Sequence, residues 1–178
     1  PALLEMNGGA LNDPRVAVLN DDAYTFVDNT NETWSVIIMD FPDPHGEALA
    51  KLYSVRFYRQ ISALLTPDGA AVTQSTSPYF ARKAFWSIHE TIRTAGFHTH
   101  PYHVWVPSFG EWGFIMMENT QREPRGAPLT VQTRWIEPVS YRNMFLFPPD
   151  MSEEEAEANT LSNPVLIDYY RTAWSKWF

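Results

Sequence analysis

The sequence predicts an α/β fold, and three observations carry that prediction. Residues 34–40, WSVIIMD, and 70–74, AAVTQ, are apolar runs of strand length. Each is followed by a longer stretch whose apolar residues recur at helical spacing. Beyond the second stretch, YHVWV (102–106) and GFIMM (113–117) flank PSFGEW as the arms of an antiparallel hairpin. Strand, helix, strand, helix and a terminal hairpin is the order of a sheet with helical crossovers.

The elements follow in order. Residues 15–20, RVAVLN, are short and β-rich and lead into Asp21 and Asp22. Residues 23–30, AYTFVDNT, read as one or two helical turns. The run 34–40 reads as continuously apolar, the pattern of a strand covered on both faces in a parallel sheet. Leu49, Leu52, Tyr53, Phe57, Ile61, Leu64 and Leu65 recur as one helical face, stopped by Pro67-Asp68-Gly69. Ala70–Gln74 is a second buried strand. Ala84, Phe85, Ile88, Ile92 and Ala95 share the face of a second helix, with Gly96 as its C′ residue. After Met117 the chain is rich in proline and polar residues without clear periodicity. Ser152 and Glu155 have the spacing of a capping box. Asn163 and Pro164 are placed as N-cap and N1 of a last helix, VLIDYYRTAWSKWF. The EEEAE run, 153–157, is a solvated face. This divides the chain into a sheet domain, 1–118, and a C-terminal extension, 119–178, whose loop and helices pack on it.

Bulk properties narrow the function. The 178 residues suffice for one domain with a core. A net charge of −8 disfavours nucleic acid and suits a cationic small molecule. With no cysteine, disulfides and thiolate-bound metals are excluded. No apolar run approaches the ~18 residues of a membrane span, and no signal peptide opens the chain. The first residues, PALLEMNGGALNDPR, do not begin with Met and read as the tail of a helix plus a loop, as if cut from something longer.

In sheets of this kind ligands bind beyond the carboxyl ends of the strands. Asp21 and Asp22, Asp40, and Gln74 each occupy such an end. Within VIIMDFPDPHG, a buried strand ends on Asp40, and Asp43 follows between two prolines. Two carboxylates at one strand mouth point to a cationic ligand. Each also has a plainer reading: Asp40 and Asp43 as turn residues, Asp22 as the cap of the helix at Ala23, Gln74 and Tyr102 as polar groups at strand ends, Tyr79 as packing. His98, His100 and His103 crowd into six residues, but no cysteine or matching carboxylate supports a metal, and none is expected. Gly8-Gly9 is a loop signal without the preceding strand of a phosphate cradle.

VIIMDFPDP, then KLYSVRFYRQISALLTPDGAAVTQSTSPYF, then YHVWVPSFGEWGF resemble the polyamine aminopropyltransferases, of which spermidine synthase is the type member. The resemblance spans roughly Leu11 to Met117. KAFWSIHETIRTAGFHTHPYHVWVPSFGEWGF and FLFPPDM…LSNPVLIDYYRTAW are similar to the bacterial branch with membrane segments ahead of the catalytic domain. The resemblance implies a methyltransferase-like Rossmann sheet and transfer of an aminopropyl group from decarboxylated S-adenosylmethionine, a co-substrate, to a diamine such as putrescine. Spermidine and methylthioadenosine would be the products, with no cofactor. Asp40 matches the base that takes a proton from the amine. Asp43 matches its partner carboxylate, on a gating loop through His45 and Gly46. Gln74 and Tyr102 match positions of the polyamine groove, and Tyr102 and Trp112 are placed to cover the methylene stem. Asp22 and Ala23 match the site of the adenine end. Relatives often carry glycine at Ala23 and a proline near Glu47. The resemblance also implies a homodimer, and a cytoplasmic domain in a parent anchored in the inner membrane.

A sheet of this type has spatial order 3-2-1-4-5-7-6. Its first strand ends in a Gly-rich turn and its second in an acidic residue on the ribose, and this sequence has neither motif. With RVAVLN as strand three and WSVIIMD as strand four, the first two strands are absent. The expectations are therefore a fragment of a longer enzyme, weak nucleotide binding by the chain alone, and an open apolar edge on strand four. Two other functions fit the sequence less fully: an S-adenosylmethionine methyltransferase, and a non-catalytic polyamine-binding module.

Overall fold

The computed structural model describes residues 5–124 and 130–176. Asp22 starts helix α1 (Ala23–Asn29), its carboxylate accepting the Thr25 N–H at 2.9 Å. Strand β1 (Trp34–Met39) leads to a short helix α2 (Glu47–Ala50), which runs into a 3-10 turn at Lys51–Tyr53. Ser54 caps α3 (Val55–Leu64) by accepting the Phe57 N–H at 3.3 Å. β2 (Leu65–Gln74) begins at once, so the strand includes the Pro67-Asp68-Gly69 stop rather than starting at Ala70. α4 (Arg82–Ala95) ends on Gly96, whose φ of 109° is the left-handed cap that glycine adopts freely. β3 (His98–Val106) and β4 (Gly110–Glu118) form the hairpin. α5 (Pro138–Asn143) and α6 (Val165–Trp174) complete the described chain. Trp177 and Phe178, assigned above to the last helix, lie outside the described residues, as does the start of the N-terminal stretch.

The sheet order is β1-β2-β4-β3. β1 and β2 are parallel, with Ile38 beside Val72, and the other two pairings are antiparallel. In the numbering used above this is the 4-5-7-6 portion of the expected sheet. Met39, Phe57, Ile61, Phe85, Ile88, Ile92, Ile115 and Met117 form its core, buried where α3 and α4 cover one face. Leu49 and Ala95, assigned to the helical apolar faces, are half-buried at its margin.

Three expectations change. Arg15–Asn20 is not a strand: it pairs with none of the described strands, and Val18 and Leu19 are 59% and 68% exposed. A β-rich run without a neighbour has no ladder to satisfy its backbone. β1 is not covered on both faces, because Val36 and Ile38 are 64% and 74% exposed; separately, β1 lies at one edge of the described sheet, as expected of strand four. No helix starts at Ser152. Its hydroxyl donates to Pro149 O, and its own carbonyl and hydroxyl accept from Arg82 at 2.7 and 2.9 Å. Residues 153–160 then form no regular element, with Glu153, Glu155 and Glu157 exposed.

That run is tied down by Asn159, 1% exposed. Its Nδ2 donates to Ala50 O and Tyr53 O, both at 3.0 Å, and its N–H donates to Thr91 Oγ1 at 2.8 Å. α6 then packs against α4 and α2. Among the described residues no helix is long and apolar enough to cross a membrane.

Candidate active site

β1 and β2 run parallel, so both carboxyl ends open at the same edge of the sheet. Asp40 follows β1 there. It is exposed, and its carboxylate makes no hydrogen bond among the described residues. Its charge reaches Tyr53, whose hydroxyl is held protonated mainly by burial and further by the Tyr58, Asp43 and Asp40 groups nearby.

Asp43, three residues on, is half-buried and strongly held. Its Oδ1 accepts from Gln74 Nε2 at 3.0 Å. Its Oδ2 accepts from the Tyr170 hydroxyl at 2.9 Å and the Thr76 hydroxyl at 3.4 Å. Gln74 is fixed from both ends of its amide. Oε1 accepts from Thr76 N–H at 2.9 Å and Trp112 Nε1 at 3.1 Å, while Nε2 faces Phe41 O, Asp43 and the Tyr53 hydroxyl. Two donors on one side and three acceptors on the other set the amide's orientation. Replacing Gln74 by methionine is expected to cost about 1–3 kcal/mol, because it strands buried partners rather than removing a whole pair. Denaturant unfolding measures this, and a loss below about 0.5 kcal/mol would refute the account of the clamp.

Thr76 completes the arrangement at φ 59°, a conformation a β-branched residue rarely takes. Its backbone is held by Gly113 on β4: Gly113 N–H donates to Thr76 O at 2.7 Å, and Ser75 N–H to Gly113 O at 2.9 Å. Strain of this kind persists only where surrounding structure enforces it.

Asp43 opens into a cavity of roughly 530 Å³, lined also by Phe80, Ser108, Phe109, Trp112, Tyr170 and Trp174. No lysine or arginine lines it. Burial first, then the Asp43 charge and the hydrogen bond to it, raise the Tyr170 pKa, so the hydroxyl stays a donor. A larger cavity of roughly 630 Å³ adjoins α6, but Arg82, Lys83 and Lys176 outnumber the carboxylates Glu154 and Asp168 among its lining residues, so it suits a cation less well.

The structure thus brings Asp43, Gln74 and Trp112 together and places Asp40 at the same strand mouth. Tyr102 is not among the residues lining this cavity. It stacks on Phe114 at 5.3 Å and contacts Phe145 at 5.8 Å, in a separate aromatic group. Besides Trp112, the rings that line Asp43's cavity are Phe80, Phe109 of the hairpin turn, and Tyr170 and Trp174 of α6, which the sequence reading did not single out. Asp22 is the cap of α1. The N–H and hydroxyl of Thr25 hold its carboxyl below the usual range, and Lys51 lies 3.4 Å from the second oxygen. Ala23 is the first residue of that helix. His100 pairs with Glu118 at 3.1 Å, and His103 lies between Glu111 and Leu146 O, each 2.8 Å away. Among the described residues no group of three or more His, Cys, Asp or Glu is placed to hold a metal.

Comparison with known proteins gives concordant results. The family model described as the spermine/spermidine synthase domain matches residues 2–125. Polyamine aminopropyltransferase 2 of Ralstonia nicotianae is 42% identical over 175 residues, covering 97% of this chain and 34% of that protein. Polyamine aminopropyltransferase 1 of Streptomyces coelicolor is 40% identical over 174 residues, covering 97% of this chain and 33% of that protein. The chain therefore spans about a third of the length of these relatives. Among solved structures, a spermidine synthase in complex with the transition-state analogue AdoDATO superposes with a TM-score of 0.69 at 19% identity, over 83% of this chain and 53% of that one. The spermidine synthase of Thermotoga maritima gives 0.62 at 20% identity, over 82% and 51%. These likenesses establish the methyltransferase-like fold.

Proposed function

Because the chain belongs to the spermine/spermidine synthase domain family, we propose that it supplies the amine-binding, proton-accepting part of an aminopropyltransferase site. The reaction is transfer of an aminopropyl group from decarboxylated S-adenosylmethionine to a diamine, with putrescine as acceptor. An alkylammonium has a pKa near ~10, as lysine does, and at neutral pH lacks the lone pair it needs. Asp40 first attracts the ammonium and then accepts its proton. The freed lone pair attacks the methylene beside the sulfonium. The new C–N bond forms as the C–S bond breaks, and the sulfur keeps that electron pair as a neutral thioether. The electrophile is already activated, so the protein's larger task is to position two reactants, an effect that can contribute about 7–11 kcal/mol. Asp43, with Gln74, holds the diamine in register. Trp112 and the other rings face its methylenes and its charge. Asp22 and Ala23, at the start of α1, serve the adenine end of the nucleotide.

The observation that carries this reading is the pair at the end of β1: an exposed carboxylate with no hydrogen bond among the described residues, and three residues later one clamped at the mouth of a cavity walled by aromatic rings. A methyltransferase has no need of that pair. Incubation of the full-length protein that carries this sequence with decarboxylated S-adenosylmethionine and putrescine, read by mass spectrometry, is expected to add one aminopropyl unit to the amine. Addition of a single methyl from S-adenosylmethionine instead would replace this reading with that of a methyltransferase.

A further inference from the structure

The family match ends at residue 125, yet one wall of the Asp43 cavity is built by α6, forty residues beyond. Tyr170 and Trp174 are four residues apart and so share one face of that helix. Tyr170 donates to Asp43 Oδ2 at 2.9 Å. Trp174 lies 5.9 Å from Tyr170, ring centre to ring centre, and stacks on Phe80 at 5.9 Å. A second run of rings begins at the Asp43 partner Gln74, which accepts from Trp112, itself 5.1 Å from Phe109. Two aromatic runs therefore start beside one carboxylate and line the same cavity.

We propose that α6 is the amine-selecting wall of this site: Tyr170 positions Asp43, and Trp174 limits the length of the alkylamine that the cavity accepts. The assignment rests on reading Asp43 as the amine-binding carboxylate. An ammonium seated on Asp43 extends its methylenes between the two runs of rings, where apolar faces cover the stem and carry cation–π attraction for a further charge. Trp174 is one ring removed from Asp43 along its wall, so it meets an added segment of a longer amine rather than the ammonium nearest the carboxylate. Volume alone does not set the length. At about 30 Å³ per heavy atom, by the share of a water in liquid, a diamine fills roughly 180 Å³ and a triamine of ten heavy atoms roughly 300 Å³. Both are under the cavity's roughly 530 Å³, so discrimination falls to where Trp174 stands along the wall.

The test is calorimetric titration of the full chain with 1,4-diaminobutane, with the triamine spermidine and, separately, with methylthioadenosine. The variants are Trp174→Ala, Trp174→Phe and Tyr170→Phe. Trp174→Ala is expected to shift the ratio of triamine to diamine affinity by about 10-fold toward the triamine, an amount worth 1.4 kcal/mol. Trp174→Phe, which keeps a ring on Phe80, is expected to give an intermediate ratio and guards against a merely misfolded variant. Tyr170→Phe is expected to weaken both amines about 10-fold with nucleotide affinity unchanged, a split that a general loss of structure would not give. If the unaltered protein binds both amines and the ratio does not move in either Trp174 variant, the assignment of α6 is overturned while the reading of Asp43 stands. If the unaltered protein binds neither amine, the reading of Asp43 is overturned and this assignment with it.

Discussion

Replacing Asp40 by asparagine is expected to lower aminopropyl transfer by roughly 10²–10⁴-fold, the range associated with loss of a positioned proton acceptor. The substitution keeps the shape of the side chain and removes its charge together with its ability to take a proton. It is also structurally mild. Asp40 is exposed and makes no hydrogen bond among the described residues, so unfolding free energy should change by no more than about 0.5 kcal/mol. Turnover and thermal unfolding measured on the same preparation separate the two effects. Turnover within tenfold of the unaltered protein would remove Asp40 from the reaction. Asp43 makes the informative contrast: with three donors on its oxygens, its loss disturbs Gln74, Thr76 and Tyr170 together. Asp43→Asn would therefore mix function with structure, whereas the Asp40 variant leaves the fold undisturbed.

Gly113→Ala is expected to destabilise the fold by about 3 kcal/mol or more. A β-carbon there would lie 2.4 and 2.5 Å from two ring carbons of Phe85 and 2.9 Å from Thr76 O. Phe85 is fully buried in the core, so its ring has no solvent to move into, and the other obstacle is backbone. Crowding a close-packed interior by one methyl commonly costs about 1–3 kcal/mol, and more where the neighbours cannot yield. The damage extends to the site, since Gly113 holds Thr76 in its left-handed conformation. Denaturant midpoint and slope give the stability change. A loss below about 1 kcal/mol would show that the hairpin and α4 are more loosely packed than described.

Much of the architecture was legible because periodicity reports burial. The faces of α3 and α4, the left-handed stop at Gly96 and the hairpin all follow from spacing within a short window of sequence. RVAVLN was misread for a physical reason: strand propensity describes a residue's fit to a sheet, and a sheet requires a neighbour that no local pattern reveals. Ser152 and Glu155 failed similarly, because Arg82, distant in sequence, competes for Ser152. In the candidate site, Asp40, Asp43 and Gln74 were visible as polar ends of apolar strands. Tyr102 was placed in the groove by the family resemblance; it pairs with Phe114, stacks on it, and does not line the Asp43 cavity. Tyr170 and Trp174 carried a faint signal, two rings at i and i+4 on a helix whose Leu166 and Ile167 are buried. What that signal could not convey was the docking partner, since α6 reaches Asp43 across 127 positions of chain.

That separation has a kinetic consequence. Contacts distant in sequence require a large loop to close before they return any stabilisation, and proteins rich in them fold slowly. The cavity at Asp43 draws its walls from residues as far apart as 43 and 174, so it is assembled only after α6 has docked. During synthesis the sheet and α4 emerge before α6, and the proposed amine site is complete once α6 is in place. Capture of a diamine by a newly made chain would accordingly report that α6 has docked.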